Sequence, residues 1–263
     1  MITVGVDVGS KYVKSLILKN GKDVLARAIS IVGFDVIESA TKVFDEVLAH
    51  SKIEREQIDY AMATGMGRKI IHKKPPINAA DIVPEVIADA KGTYHLIPSV
   101  KTIIDVGAEE GRGVKVGENG KVIDFVINER CAAGAGTFIE TMARALEVNV
   151  EDMGPLALRS TKDIPMNAQC CVFAESEVVT LIHSKISKED ISKAIHDAMA
   201  GRIASMVLRV GVEKDVVLIG GVARNPGFLS PLGKELNAEI LTPEYPEYVG
   251  ALGAALLALE KEA

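Results

Sequence analysis

Residues 2–22 read ITVGVDVGSKYVKSLILKNGK, and residues 102–121 read TIIDVGAEEGRGVKVGENGK. Each is an apolar strand ending in Asp-Val-Gly, followed by a second strand and then by Asn-Gly-Lys. Asp7 matches Asp105 at an offset of 98, and Asn20-Gly21 matches Asn119-Gly120 at an offset of 99. Asn-Gly between apolar runs is a hairpin signal, because a type I′ turn needs positive φ at both central residues. A repeat of this kind decides the architecture before single elements do. It predicts two related lobes, each opening with a strand that ends in a carboxylate and a glycine.

The rest of the chain alternates helical and strand patterns. Asp35 to His50 carries apolar residues at helical spacing, Asp59 to Thr64 reads as a short strand, and Ala79 to Ala90 reads as helical. Thr137 to Leu146 is amphipathic. Ser187 can cap a helix with Asp190 at its third position. Val216 to Ile219 is a buried strand running into Gly220-Gly221, and Tyr248 to Lys261 is an Ala/Leu helix. Two α/β lobes around a cleft result.

The chain has 263 residues, enough for one large or two small domains, with 48% hydrophobic and 25% charged residues. Its net charge of −6 argues against non-specific nucleic-acid binding. No apolar run approaches the ~18–20 residues of a membrane span. The N-terminus has neither a basic n-region nor a cleavage-like site. Three cysteines make no disulfide framework. A cytoplasmic protein free of membrane and nucleic acid is the expectation.

Glycine-rich strand ends and turns expose backbone N–H groups to anions, and a following helix adds its positive end. Five such places occur: Gly9-Ser10, Gly65-Met66-Gly67, Gly107, Gly134-Ala135-Gly136 and Gly220-Gly221. Neither a Walker A loop nor a G-x-G-x-x-G fingerprint is present. Asp7 and Asp105, at matching places in the two lobes, are candidates to face a common cleft and hold hydrated Mg²⁺ on a nucleotide. Lys14 lies one strand on, within reach of a phosphate. The histidines (His50, His72, His95, His183, His196) show no metal-ligand spacing, and no nucleophile elbow supports acyl transfer.

With these motifs in view, the sequence resembles the acetate kinase/sugar kinase/Hsp70/actin superfamily. More closely it is similar to the ATPase activators of 2-hydroxyacyl-CoA dehydratases and the ATPase subunits of benzoyl-CoA reductases. The resemblance runs from Val4 to Leu257, on VDVGSKYVK (6–14), ATGMGR (63–68), IDVG (104–107), CAAGAG (131–136), CVFAESEV (171–178), GGVARN (220–225) and GALGAAL (250–256). It implies two duplicated RNase H-like lobes of actin/Hsp70 ATPase type. Lobe I would take residues 1–98 plus a C-terminal helix, 245–263, and lobe II residues 99–244. It also implies that Gly9, Ser10, Lys11 and Lys14 form the first phosphate loop, and Asp105 and Gly107 the second. Gly134 and Gly136 would approach phosphate, Glu140 the ribose, and Gly220, Gly221 and Asn225 the adenosine. Activators commonly carry Gly-Gly-Gln-Asp where this chain has Gly107-Ala108-Glu109-Glu110, and AEEGR (108–112) looks more like a benzoyl-CoA reductase ATPase component. Either Glu109 or Glu110 would orient the attacking water.

Cys131 and Cys170 each precede a helical run, where the helix dipole favours a thiolate. From the residues alone the plainer reading is buried free cysteines. A [4Fe–4S] cluster usually needs four thiolates, which two chains supplying two each would provide. The resemblance implies that arrangement, with Cys131 and Cys170 as ligands and Cys171 as a neighbour. The implied function is ATP-driven electron transfer, from ferredoxin or flavodoxin through one cluster per dimer to a partner dehydratase or reductase, using ATP/ADP and Mg²⁺. The dimer is either homomeric or formed with a paralogous chain. The rival readings on the same fold are a small-molecule kinase and an ATP-gated assembly module, neither needing iron.

Overall fold

The computed structural model describes residues 1–128, 136–166 and 170–261. In chain order its elements are β1 (Ile2–Val8), β2 (Tyr12–Lys19), β3 (Asp23–Ile31), α1 (Val36–Ser51), β4 (Tyr60–Thr64), α2 (Arg68–Ile71), β5 (Asp81–Ile82) and α3 (Glu85–Leu96). There follow β6 (Thr102–Val106), β7 (Gly111–Val116), β8 (Val122–Ile127), α4 (Gly136–Ala145), α5 (Val150–Arg159), α6 (Cys171–His183) and α7 (Lys188–Val207). The last are β9 (Val216–Ile219), α8 (Pro226–Leu236), β10 (Ile240–Leu241) and α9 (Val249–Lys261). Two compact units emerge. The first comprises Met1–Ser99, Val116–Ile123 and Glu247–Ala263, the second Val100–Lys115 and Asp124–Pro246.

Each unit's sheet follows one plan. The first has the order β3-β2-β1-β4-β5; the second, read from the matching edge, has β8-β7-β6-β9-β10. β1 is antiparallel to β2 and parallel to β4, and β6 is likewise antiparallel to β7 and parallel to β9. Both Asn-Gly turns carry the positive φ angles that the sequence demands: 53° and 69° at Asn20 and Gly21, 57° and 73° at Asn119 and Gly120. The duplicated α/β architecture expected from the repeat is therefore present.

In the first unit α1 packs Ala40, Val43, Phe44 and Val47 against Val4, Val6 and Val8 on one face of the sheet. Asp35 caps α1 by accepting from Ile37 N at 2.8 Å and Glu38 N at 3.1 Å. The other face meets α9, whose Ala251, Leu252 and Ala255 pack on Leu16 and Leu18. The run of Gly and Ala in α9 reflects how near the backbones come. A Cβ on Gly5 would stand 1.8 Å from Ala251 O, and one on Gly253 1.8 Å from Ala88 O on α3. Ala79 to Ala90 departs from its helical pattern: Asp81–Ile82 forms a short edge strand, and α3 starts after Pro84. Proline lacks the N–H for a helix interior but suits a helix start.

The second unit buries Ile104 and Val106 of β6 beneath Phe138 and Met142 of α4, Ile195, Met199 and Ile203 of α7, and Phe228 and Leu232 of α8. Ser187 caps α7, accepting from Asp190 N at 3.2 Å. No helix among the described residues is long and apolar enough to cross a membrane.

Backbone proximity makes opposite predictions for two helical glycines. Gly253→Ala should destabilise by about 1–3 kcal/mol through overpacking against Ala88. Gly201→Ala, where no atom lies within 4 Å of the new Cβ, should stabilise by about 0.4–1 kcal/mol. Urea unfolding of both variants checks this, and equal shifts of one sign would contradict the packing described.

Candidate functional site

The carboxyl ends of parallel strands are where open α/β sheets bind ligands, and here both units place the same constellation. Gly9 to Tyr12 forms a four-residue turn closed by Gly9 N donating to Tyr12 O at 3.0 Å. Gly107 to Glu110 forms its counterpart, with Gly107 N donating to Glu110 O at 2.9 Å. These turns fix the hairpin registers, so that Asp7 faces Lys14 and Asp105 faces Arg112. Lys14 Nζ lies 2.8 Å from Asp7 Oδ2, and Arg112 Nη1 2.5 Å from Asp105 Oδ2. Asp105 and Arg112 are buried.

A glycine closes each corner. Gly65 follows β4 at φ +90°, and Gly220 follows β9 at φ +87°. A Cβ on Gly65 would come within 2.6 Å of Asp7 Oδ1, and one on Gly220 within 2.4 Å of Asp105 Oδ1. Only glycine combines that φ with that approach.

The sequence-predicted residues distribute over these corners as follows. Asp7, Gly9, Ser10, Lys11 and Lys14 occupy the hairpin end of the first unit, and Asp105, Gly107, Glu109 and Glu110 that of the second. Glu110 is engaged by Arg112 Nη2 at 2.8 Å, whereas Glu109 stands exposed. Gly136 opens α4 against the second loop, donating to Gly107 O at 2.9 Å; Thr137 donates to Ala108 O from both its N, at 2.9 Å, and its hydroxyl, at 2.6 Å. Glu140 is half-buried on the next turn of α4. Around Gly221 no atom lies within 4 Å of where a Cβ would stand, so its backbone is open to a ligand.

Asn225 points inward. Its Oδ1 accepts from Gly227 N at 3.0 Å at the start of α8, and its Nδ2 donates to His196 Nε2 at 3.0 Å. His196 is fully buried, and burial pushes its ring pKa below the ordinary range, so the neutral ring donates from Nδ1 to Ser192 O at 2.7 Å. Gly134 and Cys131 lie outside the described residues.

Cys170 is the N-cap residue of α6, a half-buried free thiol with no capping hydrogen bond from its side chain. Cys171 packs against the core, while Val172 and Phe173 are exposed beside it. A thiol at the positive end of a helix fits a thiolate ligand. Among the described residues no group of three or more His, Cys, Asp or Glu could hold a metal ion. A four-thiolate site therefore needs more than these residues of one chain. The segment before Cys170 is tied to α7: Asp190 accepts from Ser160 Oγ at 2.8 Å and Lys162 Nζ at 2.9 Å, and Lys193 Nζ lies 2.6 Å from Asp163.

Three groups escaped sequence reasoning: Arg112, Gly65 as a contact of Asp7, and the Asp190 anchor. The repeat carried a signal for the first, because the offset that maps Asp7 onto Asp105 also maps Lys14 onto Arg112.

Comparison with known proteins completes the picture. Residues 4–258 match the BadF/BadG/BcrA/BcrD ATPase family. The chain belongs to that family. It is 39% identical over 262 residues to the (R)-2-hydroxyglutaryl-CoA dehydratase activating ATPase of Acidaminococcus fermentans, covering 99% of this chain and 98% of that one. A benzoyl-CoA reductase component of Thauera aromatica is 29% identical over 265 residues, with 97% and 92% covered. Among solved structures, component A of the Acidaminococcus fermentans dehydratase superposes with a TM-score of 0.94 at 38% identity, over 99% of this chain and 98% of that one. The activator of the 2-hydroxyisocaproyl-CoA dehydratase from Clostridium difficile, with bound ADPNP, gives 0.93 at 36% identity, over 99% and 95%. A ROK family glucokinase from Streptomyces griseus, at 12% identity and a TM-score of 0.65 over 99% and 100%, shares the fold alone. This ATPase thus has the two-lobed actin/Hsp70-type fold that the sequence resemblance implied.

Lys162, then Ser187 and Ser160, hold the Asp190 carboxyl down to about 2 from an ordinary 3.8. Its stabilising contribution is present above the ordinary value and is lost as the pH falls toward 2. Wild type should therefore exceed Asp190→Asn in urea resistance by a constant margin between about pH 7 and pH 5, and the margin should shrink by about pH 3. A margin independent of pH would show that the carboxylate charge is not what anchors the segment.

Proposed function

We propose that this ATPase is the activator of a 2-hydroxyacyl-CoA dehydratase or benzoyl-CoA reductase-type enzyme, hydrolysing ATP to drive one electron uphill onto that partner. The full-length likeness to dehydratase activators, 39% over 262 residues, carries the reading and favours a dehydratase as the acceptor. Ferredoxin or flavodoxin is oxidised by one electron, the acceptor is reduced by one, and ATP and water give ADP and phosphate.

Asp7, Gly9, Ser10, Lys11 and Lys14 in the first unit, and Asp105, Gly107, Gly134 and Gly136 in the second, are the proposed phosphate and Mg²⁺ residues. Glu140 is assigned to the ribose, and Gly220, Gly221 and Asn225 to the adenosine. Asn225 serves by fixing the loop, since its amide is spent on Gly227 and His196. Buried and paired with Arg112, Asp105 suits contact with Mg²⁺ through water rather than direct ligation. Glu109, exposed beside Gly107, is the carboxylate left to orient the attacking water, because Glu110 is held by Arg112.

Cys131 and Cys170 from each of two chains, identical or paralogous, would hold one [4Fe–4S] cluster, which supplies a one-electron carrier. The chain's own part is mechanical. The loop Gly107–Glu110 is hydrogen-bonded to the first residues of α4, and α4 packs on α6, which begins at the Cys170 cap. A shift of the loop between ATP and ADP states would be passed along α4 to the cysteines.

Asp105→Asn should lower ATP turnover per folded molecule by orders of magnitude. Arg112 would lose one of its two carboxylate partners and keep Glu110, so stability should fall as well. Glu109→Gln should lower turnover more than Glu110→Gln. Wild-type hydrolysis in Asp105→Asn, corrected for folded fraction, would defeat the site assignment.

Anaerobically purified protein should be brown, with about four irons per dimer. Iron analysis should find most of the metal lost in Cys131→Ser and Cys170→Ser and kept in Cys171→Ser. Colourless, iron-free protein that phosphorylates a sugar or small acid would establish the kinase reading instead.

A further inference from the structure

The glycine corners of the two units are alike in backbone and unlike in what fastens them. In the second unit the Gly220 turn is held by the main chain, Gly220 N donating to Pro246 O at 3.0 Å and Ala223 N to Gly220 O at 3.2 Å. In the first unit a charged side chain is added. Arg68 folds back from the start of α2, and its Nη1 donates to Gly65 O at 2.8 Å. The same nitrogen lies 3.8 Å from Glu85 Oε2, on the first turn of α3. Counted from the two glycines, the position corresponding to Arg68 is Ala223, whose methyl side chain cannot make that contact.

We infer that Arg68 is a positioning residue for Asp7: by gripping the Gly65 carbonyl while paired with Glu85, it holds the Gly65 turn against the Asp7 carboxylate. The Gly65 turn lies beside Asp7, so close that a Cβ at Gly65 would come within 2.6 Å of Asp7 Oδ1. The carbonyl that Arg68 holds belongs to this same residue. A planar guanidinium can face a carbonyl and a carboxylate together, which a single ammonium does less well. Arg68 thereby links α3 to the corner of β1 and β4, at the strand ends where the nucleotide is proposed to bind. The inference rests on the assignment of Asp7 to the phosphate and Mg²⁺ site.

Steady-state ATP hydrolysis by the full chain, purified anaerobically, tests it. Arg68→Gln should lower kcat roughly 10–100-fold, as small misplacements of a catalytic group do, with KM for ATP changed no more than about threefold. Arg68→Lys should restore little of the loss. Lys91→Gln, which removes an exposed α3 pair with Glu260, should match wild type and serves as the control. Thermal unfolding of each variant gives the folded fraction; if Arg68→Gln does not fold, Arg68→Lys decides. Wild-type kcat per folded molecule in either Arg68 variant would overturn the clamp and leave only a structural staple. Wild-type protein that hydrolyses no ATP would instead defeat the nucleotide site on which the clamp depends.

Discussion

A carboxylate at the carboxyl end of a buried strand must be compensated, since an unpaired charge in that position costs several kcal/mol. In both units the compensating group is a cation seven residues later, directly across the hairpin: Lys14 for Asp7 and Arg112 for Asp105. That pairing exists only because the intervening turn has four residues, which sets the register. A one-residue slip would send each carboxylate to the opposite face of its sheet. Turn length, strand register and ion pair are one constraint, met twice. The glycines at positive φ follow from it, because a neighbouring strand can approach the paired carboxylate only without a side chain.

The two corners then diverge. The second is an enclosed triad, in which Arg112 holds Asp105 and Glu110 together and the main chain closes the glycine turn. The first is fastened partly by charged side chains, Arg68 and Glu85, that reach from α2 and α3. The second loop is also joined to α4 by Gly136 and Thr137. A displacement there has a hydrogen-bonded path into α4, which packs on α6 behind the Cys170 cap, and the first loop has no counterpart of that path among the described residues.

Much of this was legible because duplication doubles weak signals. One Asp-Val-Gly is a strand end, and two at matching offsets, each with an Asn-Gly turn behind it, are an architecture. The boundary of α3 was not legible, since the apolar spacing of Ala79 to Ala90 suits a helix until Pro84 interrupts it and the edge of the sheet draws Asp81 and Ile82 into a strand. Nor could adjacency in sequence separate Glu109 from Glu110, because the difference is which of the two the Arg112 guanidinium reaches.

The sequence alone determined the repeat, the strand ends that carry Asp7 and Asp105, the type I′ turns and the capped helices, because each depends on residues close in the chain. Tertiary structure alone decided that Asn225 is turned inward to His196, and that Gly5 and Gly253 are contact surfaces rather than turns. Those outcomes depend on backbones brought within a few ångströms by packing, a distance that no local pattern encodes.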